Sequence, residues 1–211
     1  MKKSIALVMM AVLLVAASVM GTLAYLTSTD TVTNTFTVGK VAIKLDEAKA
    51  NTDGSLVAGA DRVKENSYKL LPGHTYTKDP MVTVLEGSEP SFIKMTVTFS
   101  MAKELDAIFA PTGANLTSIF NGYDAANWIA KGNTKDANAN TRTYEFWYKE
   151  TVGAPDGDVA LDALFDSITV PGTITQEQLK TIEGMTITVT AYAIQADGFA
   201  TADKAWEKFV N

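Results

Sequence analysis

The chain has no cysteine and only one histidine, His74. Without thiols it can form no disulfide, no thiolate nucleophile and no cysteine-ligated zinc or iron–sulfur site. With one histidine it cannot build a paired-histidine zinc motif such as H-E-x-x-H. No G-x-S-x-G elbow, P-loop or G-x-G-x-x-G fingerprint occurs. A Ser–His–Asp triad would have to use His74, which stands between Gly73 and Thr75 in a predicted turn, where a histidine is ordinarily solvated. Positive charge is also scarce: 18 basic residues face 24 acidic ones, for a formal net charge of −6. No Lys/Arg cluster interrupts that background, so nucleic acid is not an expected partner. What the chain does have is 211 residues, 46% of them hydrophobic and 20% charged, enough to build a sizeable core.

The first residues read as an export leader. Lys2 and Lys3 supply a positive end, and Ile5 to Met20 is an apolar run broken only by small residues and Ser18. Gly21-Thr22-Leu23-Ala24 then places small side chains at the −3 and −1 positions of a cut between Ala24 and Tyr25. The polar Thr27-Ser28-Thr29-Asp30 that follows favours cleavage over a permanent anchor. On this reading residues 1–24 are a signal peptide, residues 25–211 are a single secreted domain, and the membrane is met only through the uncleaved leader. Removing Lys2 and Lys3 takes the 18 basic residues to 16 against 24 acidic, a formal −8. An exported chain without disulfides fits a Gram-positive cell surface, and a domain of this length can be held by burial alone.

Period-two alternation dominates the rest. Thr35 to Leu45 alternates with a one-residue slip at Gly39-Lys40, the pattern of a β-bulge. Residues 48–61 read as a loop, Leu71-Pro72-Gly73 as a turn, and Pro80–Glu86 and Phe92–Ser100 as strands. In the second strand Ile93, Met95, Val97 and Phe99 face one way, and Lys94, Thr96 and Thr98 are expected to face water. Helical spacing over Met101–Ala110 puts Leu105, Ile108 and Phe109 on one face. Trp128-Ile129 is a short apolar element, Gly132–Thr141 a polar loop, and Thr143–Val152 a strand. Leu161–Val170 is ambiguous. Thr175 opens a helix with Gln178 in the third position, Met185–Ile194 is the clearest strand, and Ala202, Ala205, Trp206 and Phe209 define a C-terminal amphipathic helix. The expected fold is mainly β, an antiparallel sandwich with short helices in its connections.

Acidic groupings carry little chemistry. Asp156-Gly157-Asp158 resembles part of a calcium loop without the remaining ligand spacing, so a solvated turn is expected. No metal site, cofactor or catalytic residue is assigned. Leu71-Pro72-Gly73-His74-Thr75 lacks the spacing and the apolar tail of a sortase signal, and Asn115-Leu116-Thr117 is a glycosylation sequon only in a eukaryotic pathway.

Three stretches together resemble a known family. They are Gly21 to Thr27 followed by Asn34-Thr35-Phe36-Thr37-Val38-Gly39; Pro72 to Pro80; and Thr190 to Phe199 ahead of Ala205-Trp206. They resemble the SipW-dependent signal region and flanking strands of the TasA/CalY (camelysin) proteins of Firmicutes; residues from about 102 to 186 are not covered. The resemblance implies a biofilm-matrix or cell-surface protein with a jelly-roll-like sandwich, exported by a dedicated signal peptidase. It also implies fibres in which an N-terminal strand completes the sheet of the next subunit, with other surface or matrix proteins as further partners. Here the donor would be Tyr25 to Val38, with Thr35, Phe36 and Val38 as its pairing residues. Alternatively, the segment forms the first strand of its own domain. Part of that family carries a metallopeptidase label, which does not transfer to a chain without a zinc-binding pair. Two other functions stay open: a carbohydrate- or ligand-binding sandwich using Trp128 and Trp147 as stacking surfaces, and a secreted hydrolase with a polar pocket.

Overall fold

The apolar run behind Lys2 and Lys3 folds as helix α1 (Lys2–Gly21) in the computed structural model, which describes residues 2–21, 38–109 and 120–209. Ile5, Leu7, Val8 and Met9 of α1 are each 60% exposed or more. The chain divides into two units, Met1–Val38 and Gly39–Asn211. The expected cleavage residues Ala24 and Tyr25, and the expected pairing residues Thr35 and Phe36, lie outside the described residues. Val38, the last residue of that segment, is 97% exposed.

The second unit is mainly β and its strand ladders are antiparallel. In chain order its elements are β1 (Ile43–Asp46), β2 (Thr75–Thr77), β3 (Met81–Val84), β4 (Ser88–Ser100), α2 (Ala102–Phe109), β5 (Phe120–Asn121), β6 (Trp128–Asp136) and β7 (Thr141–Tyr148). They continue with β8 (Val152–Ala154), β9 (Val159–Ala160), β10 (Ser167–Thr169), α3 (Gln176–Thr181), β11 (Ile187–Gln195) and α4 (Ala202–Lys208). The largest sheet has the order β11-β4-β7-β6, with β8 also paired to β4; two three-stranded sheets, β1-β3-β9 and β2-β10-β5, complete a sandwich-like arrangement.

Strand β4 organises the core because its apolar residues keep strict period two. Ile93, Met95 and Val97 are fully buried and Phe99 is 2% exposed. Burial of each such side chain stabilises by about 1.5–3 kcal/mol. Val82 and Val84 of β3, Tyr144 and Phe146 of β7, Phe120 of β5 and Ile168 of β10 join them in one cluster, so all three sheets share a core. Phe120 stacks on Phe165 at 4.3 Å between ring centroids and meets Tyr144 edge-on at 5.6 Å. The ambiguous stretch 161–170 proves to be core-lining chain, with Leu161, Leu164 and Phe165 buried ahead of β10. The capping box at α3 forms as its spacing predicts, with Thr175 and Gln178 each accepting the other's backbone N–H.

Three expectations need correction. The strand through Thr35–Leu45 is described only from residue 38; its regular part is Ile43–Asp46, and Lys40 forms an isolated parallel bridge to Ser88. The polar loop expected at Gly132–Thr141 is instead largely strand β6, paired with β7 across a bulge between Ala130 and Gly132. Residues 129–136 are exposed at the sheet edge, so no apolar alternation marks them. Lys94 does not face water. Its side chain is 14% exposed and its ammonium lies 4.6 Å from the Trp206 ring and 5.2 Å from that of Tyr192. Helix α4 has laid its apolar face over that end of the sheet, where the lysine stem and ammonium satisfy aromatic surface.

Candidate functional site

The ends of the large sheet differ in chemistry. At one end, β6 exposes Lys131, Lys135 and Asp136 and carries the bulge beside Gly132. Charges and bulges of this kind discourage a further strand from pairing. At the other end, β11 reads Ile-Thr-Val-Thr-Ala-Tyr-Ala-Ile-Gln over nine residues, without a charge or a proline. Its register against β4 is continuous from Ile187↔Phe99 to Gln195↔Ser91. The Ser100 N–H donates to the Thr186 carbonyl, and the Ala196 N–H to the Pro90 carbonyl, so the even-numbered residues of the strand bond to β4. In an antiparallel pair the alternate residues then turn their N–H and C=O outward. Those are Ile187, Val189, Ala191, Ala193 and Gln195, and among the described residues their backbone groups have no partner. The side chains of Ile187, Val189, Ala191 and Ala193 are half-buried and pack against the core. The remaining edge strands are short: four residues in β1, three in β2 and two each in β5 and β9.

The outer face of this sheet is a hydroxyl surface. One cross-strand row runs Thr188, Thr98, Thr143, Thr134 through β11, β4, β7 and β6, with a 2.9 Å hydrogen bond between the Thr98 and Thr143 hydroxyls. Toward the other end the row is Tyr192, Lys94, Trp147, and there α4 docks. Trp147 is 9% exposed, with Lys131 over its ring at 3.9 Å and its Nε1 donating to Glu145. Trp128 is 1% exposed, so neither tryptophan offers a free stacking face.

A cavity of about 780 Å³ lies within the second unit, lined in part by Tyr68, Phe99, Leu105, Tyr144, Ile168 and Ile182. The Tyr144 hydroxyl is buried there without a hydrogen-bond partner among the described residues, and burial pushes its pKa up to about 12. Arg142, at the same cavity, pairs with Asp106 through two bonds of 2.6 and 2.8 Å. Burial opposes ionisation of Asp106, but hydrogen bonds from Lys135 and Arg142 outweigh it and hold the carboxyl below its ordinary value.

A second polar group ties the long connection between β1 and β2 to the sheets. Arg62 binds Asp46 at 2.6 Å and Asp79 at 2.8 Å. Beside it Glu47 accepts from Lys78 Nζ at 2.7 Å and from Asn66 Nδ2 at 3.0 Å. Spacing could not reveal this cluster, because its members come from the end of β1, the connection after it and the residues that follow β2.

His74 is exposed in its turn, as expected. Asp158 accepts the Glu86 N–H at 2.8 Å, so the Asp156–Asp158 loop is tied to the turn before β4. Among the described residues no cluster of three or more His, Cys, Asp or Glu could hold a metal ion. No family model matches the chain, and neither does any curated protein or solved structure.

Proposed function

We propose that the chain is an exported cell-surface or matrix subunit that joins to copies of itself by β-strand addition. The segment 25–38 of one copy is the donor, and the outward edge of β11 in the next copy is the acceptor. The observation that carries this reading is that edge: nine residues, no charge, no proline, and five residues with outward backbone groups unpartnered among the described residues. Such an edge gains a full set of main-chain hydrogen bonds when a strand is added, and alternate side chains set the register. The charged, bulged β6 at the opposite end makes growth one-sided. Val38, at the exit of the donor, is exposed. The resemblance to the TasA/CalY proteins points the same way, and a jelly-roll connectivity belongs to this proposal. No catalytic group takes part.

The test is deletion of residues 25–34 from the secreted protein, followed by negative-stain electron microscopy over a concentration series. Loss of polymers with an unchanged thermal melt is expected. Fibres that persist undiminished would falsify the donor role.

A further inference from the structure

Glu47, Asn66 and Lys78 form an arrangement that an ordinary ion pair does not need. We propose that Lys78 and Asn66 become covalently joined by an intramolecular isopeptide bond, with Glu47 as the acid–base group that promotes it.

The geometry suits that reaction. Lys78 and Glu47 are buried, at 6% and 7% exposure. Lys78 Nζ donates to one oxygen of the Glu47 carboxylate at 2.7 Å, and Asn66 Nδ2 donates to the other at 3.0 Å. One carboxylate thus holds the amine beside the amide it would attack. The orientation of the Asn66 amide is set by its partners: Nδ2 also donates to the Ala48 carbonyl at 2.9 Å, and Oδ1 accepts the Ala50 N–H at 2.9 Å. A donor can face only the amide oxygen and an acceptor only the nitrogen, so no flipped amide fits. The Ala50 N–H stands where charge would develop on Oδ1 during attack, the role of an oxyanion donor. Tyr68 flanks the group and donates its hydroxyl to the Thr77 carbonyl. Burial, reinforced by the Glu47 charge, pushes that phenol well above its ordinary pKa.

The steps balance. Glu47 takes a proton from the Lys78 ammonium, which removes two opposite charges from a buried pair and leaves a neutral amine with a free electron pair. That pair attacks Asn66 Cγ, and the carbonyl electrons move to Oδ1 against the Ala50 N–H. Glu47 then delivers that proton to Nδ2 and takes one from the new nitrogen, which it passes to the ammonia once that group has left. The Cγ–Nδ2 bond breaks, ammonia leaves, and a Lys78 Nζ–Cγ amide remains. Lysine ammonium plus asparagine amide give a secondary amide plus ammonium, with no oxidant, reductant or cofactor. Asn66, Tyr68 and Lys78 all border the cavity described above, which provides an exit for the ammonia. In a chain without cysteine this bond would be the covalent staple of the β1–β2 connection. The inference does not depend on the assembly reading, and its test uses no polymer.

Mass spectrometry of the purified full chain decides it. The intact mass, compared with that required by the observed N-terminus, is expected to be short by one ammonia. Trypsin is expected to leave Lys78 uncut and to release Glu65–Lys69 joined to Leu70–Lys94. Glu47→Gln, which keeps the shape of the side chain, is expected to restore the full mass and cleavage after Lys78. A wild-type protein of full mass overturns the proposal. So does an ammonia loss confined to Glu65–Lys69, which would mean a succinimide at Asn66. A bond that forms equally well in Glu47→Gln removes the promoting role of Glu47.

Discussion

Two proline substitutions one residue apart separate the outer edge of β11 from its inner ladder. The Thr190 N–H points toward β4, in the pair with Thr96, whereas the Ala191 N–H points away from the domain. Thr190→Pro therefore deletes a ladder bond and leaves the Thr96 carbonyl unpaired inside the sheet. Stranding that acceptor costs about 1–3 kcal/mol, before any strain from the ring. Ala191→Pro deletes no bond among the described residues, and proline is tolerated on an edge strand when its nitrogen faces outward. Its cost to the monomer is expected to stay within about 1 kcal/mol. For the added strand the order reverses. Ala191→Pro removes a central donor, leaves the incoming carbonyl unpaired, and places ring carbons where the backbone must approach. That loss is again about 1–3 kcal/mol, and each 1.4 kcal/mol is tenfold in affinity. The critical concentration for polymer growth should thus rise by about tenfold to a hundredfold in Ala191→Pro, while its melting temperature stays near wild type. Thr190→Pro should melt well below both. Light scattering across a dilution series, with melts by circular dichroism, gives both quantities. If Ala191→Pro assembled at the wild-type critical concentration, β11 would not be the acceptor edge.

Two further outcomes follow from packing and charge. Trp206→Ala removes the ring that covers Lys94 and contacts Trp147 and Phe209, and should cost about 3 kcal/mol in a urea titration; an unchanged midpoint would mean that α4 is not docked. The second concerns acid. Burial opposes ionisation of Asp46, but hydrogen bonds from Lys44 and Arg62 outweigh it and hold its pKa below the ordinary value, and Asp106 is shifted the same way. A carboxyl depressed in the folded state contributes stability that is full above its unfolded pKa and fades as pH falls through the folded one. Stability should therefore drop below about pH 4, and Asp46→Asn should flatten that slope in thermal melts taken between neutral pH and the acid limb. A slope equal to that of the wild type would remove Asp46 from the acid response.

Much of the fold was legible because local pattern and final environment agree. The alternation of Ile93, Met95, Val97 and Phe99 marks β4 as a strand with one buried face, and burial follows it residue by residue. The Thr175–Gln178 box marks where α3 begins. The helical spacing of Ala205 and Trp206 marks the face that α4 buries. Strand β6 was not legible. Its residues 129–136 are solvated on both faces, so they carry no alternation and owe their extended form to hydrogen bonds with β7. The outer face of β4 was misjudged for a related reason: Lys94 reads as solvated until α4, more than a hundred residues later, covers it.

The candidate sites divide in the same way. Composition by itself settled which reactions lack their residues, since a missing cysteine or second histidine is independent of folding. It also raised the expectation of an export leader, from two lysines ahead of an apolar run. Only the tertiary structure decided that β11 lies at a sheet edge and that Glu47 meets residues 19 and 31 positions away. Periodicity records how each residue is solvated. Strand order and convergent side chains depend on which distant segments share a core, and no local pattern encodes that choice.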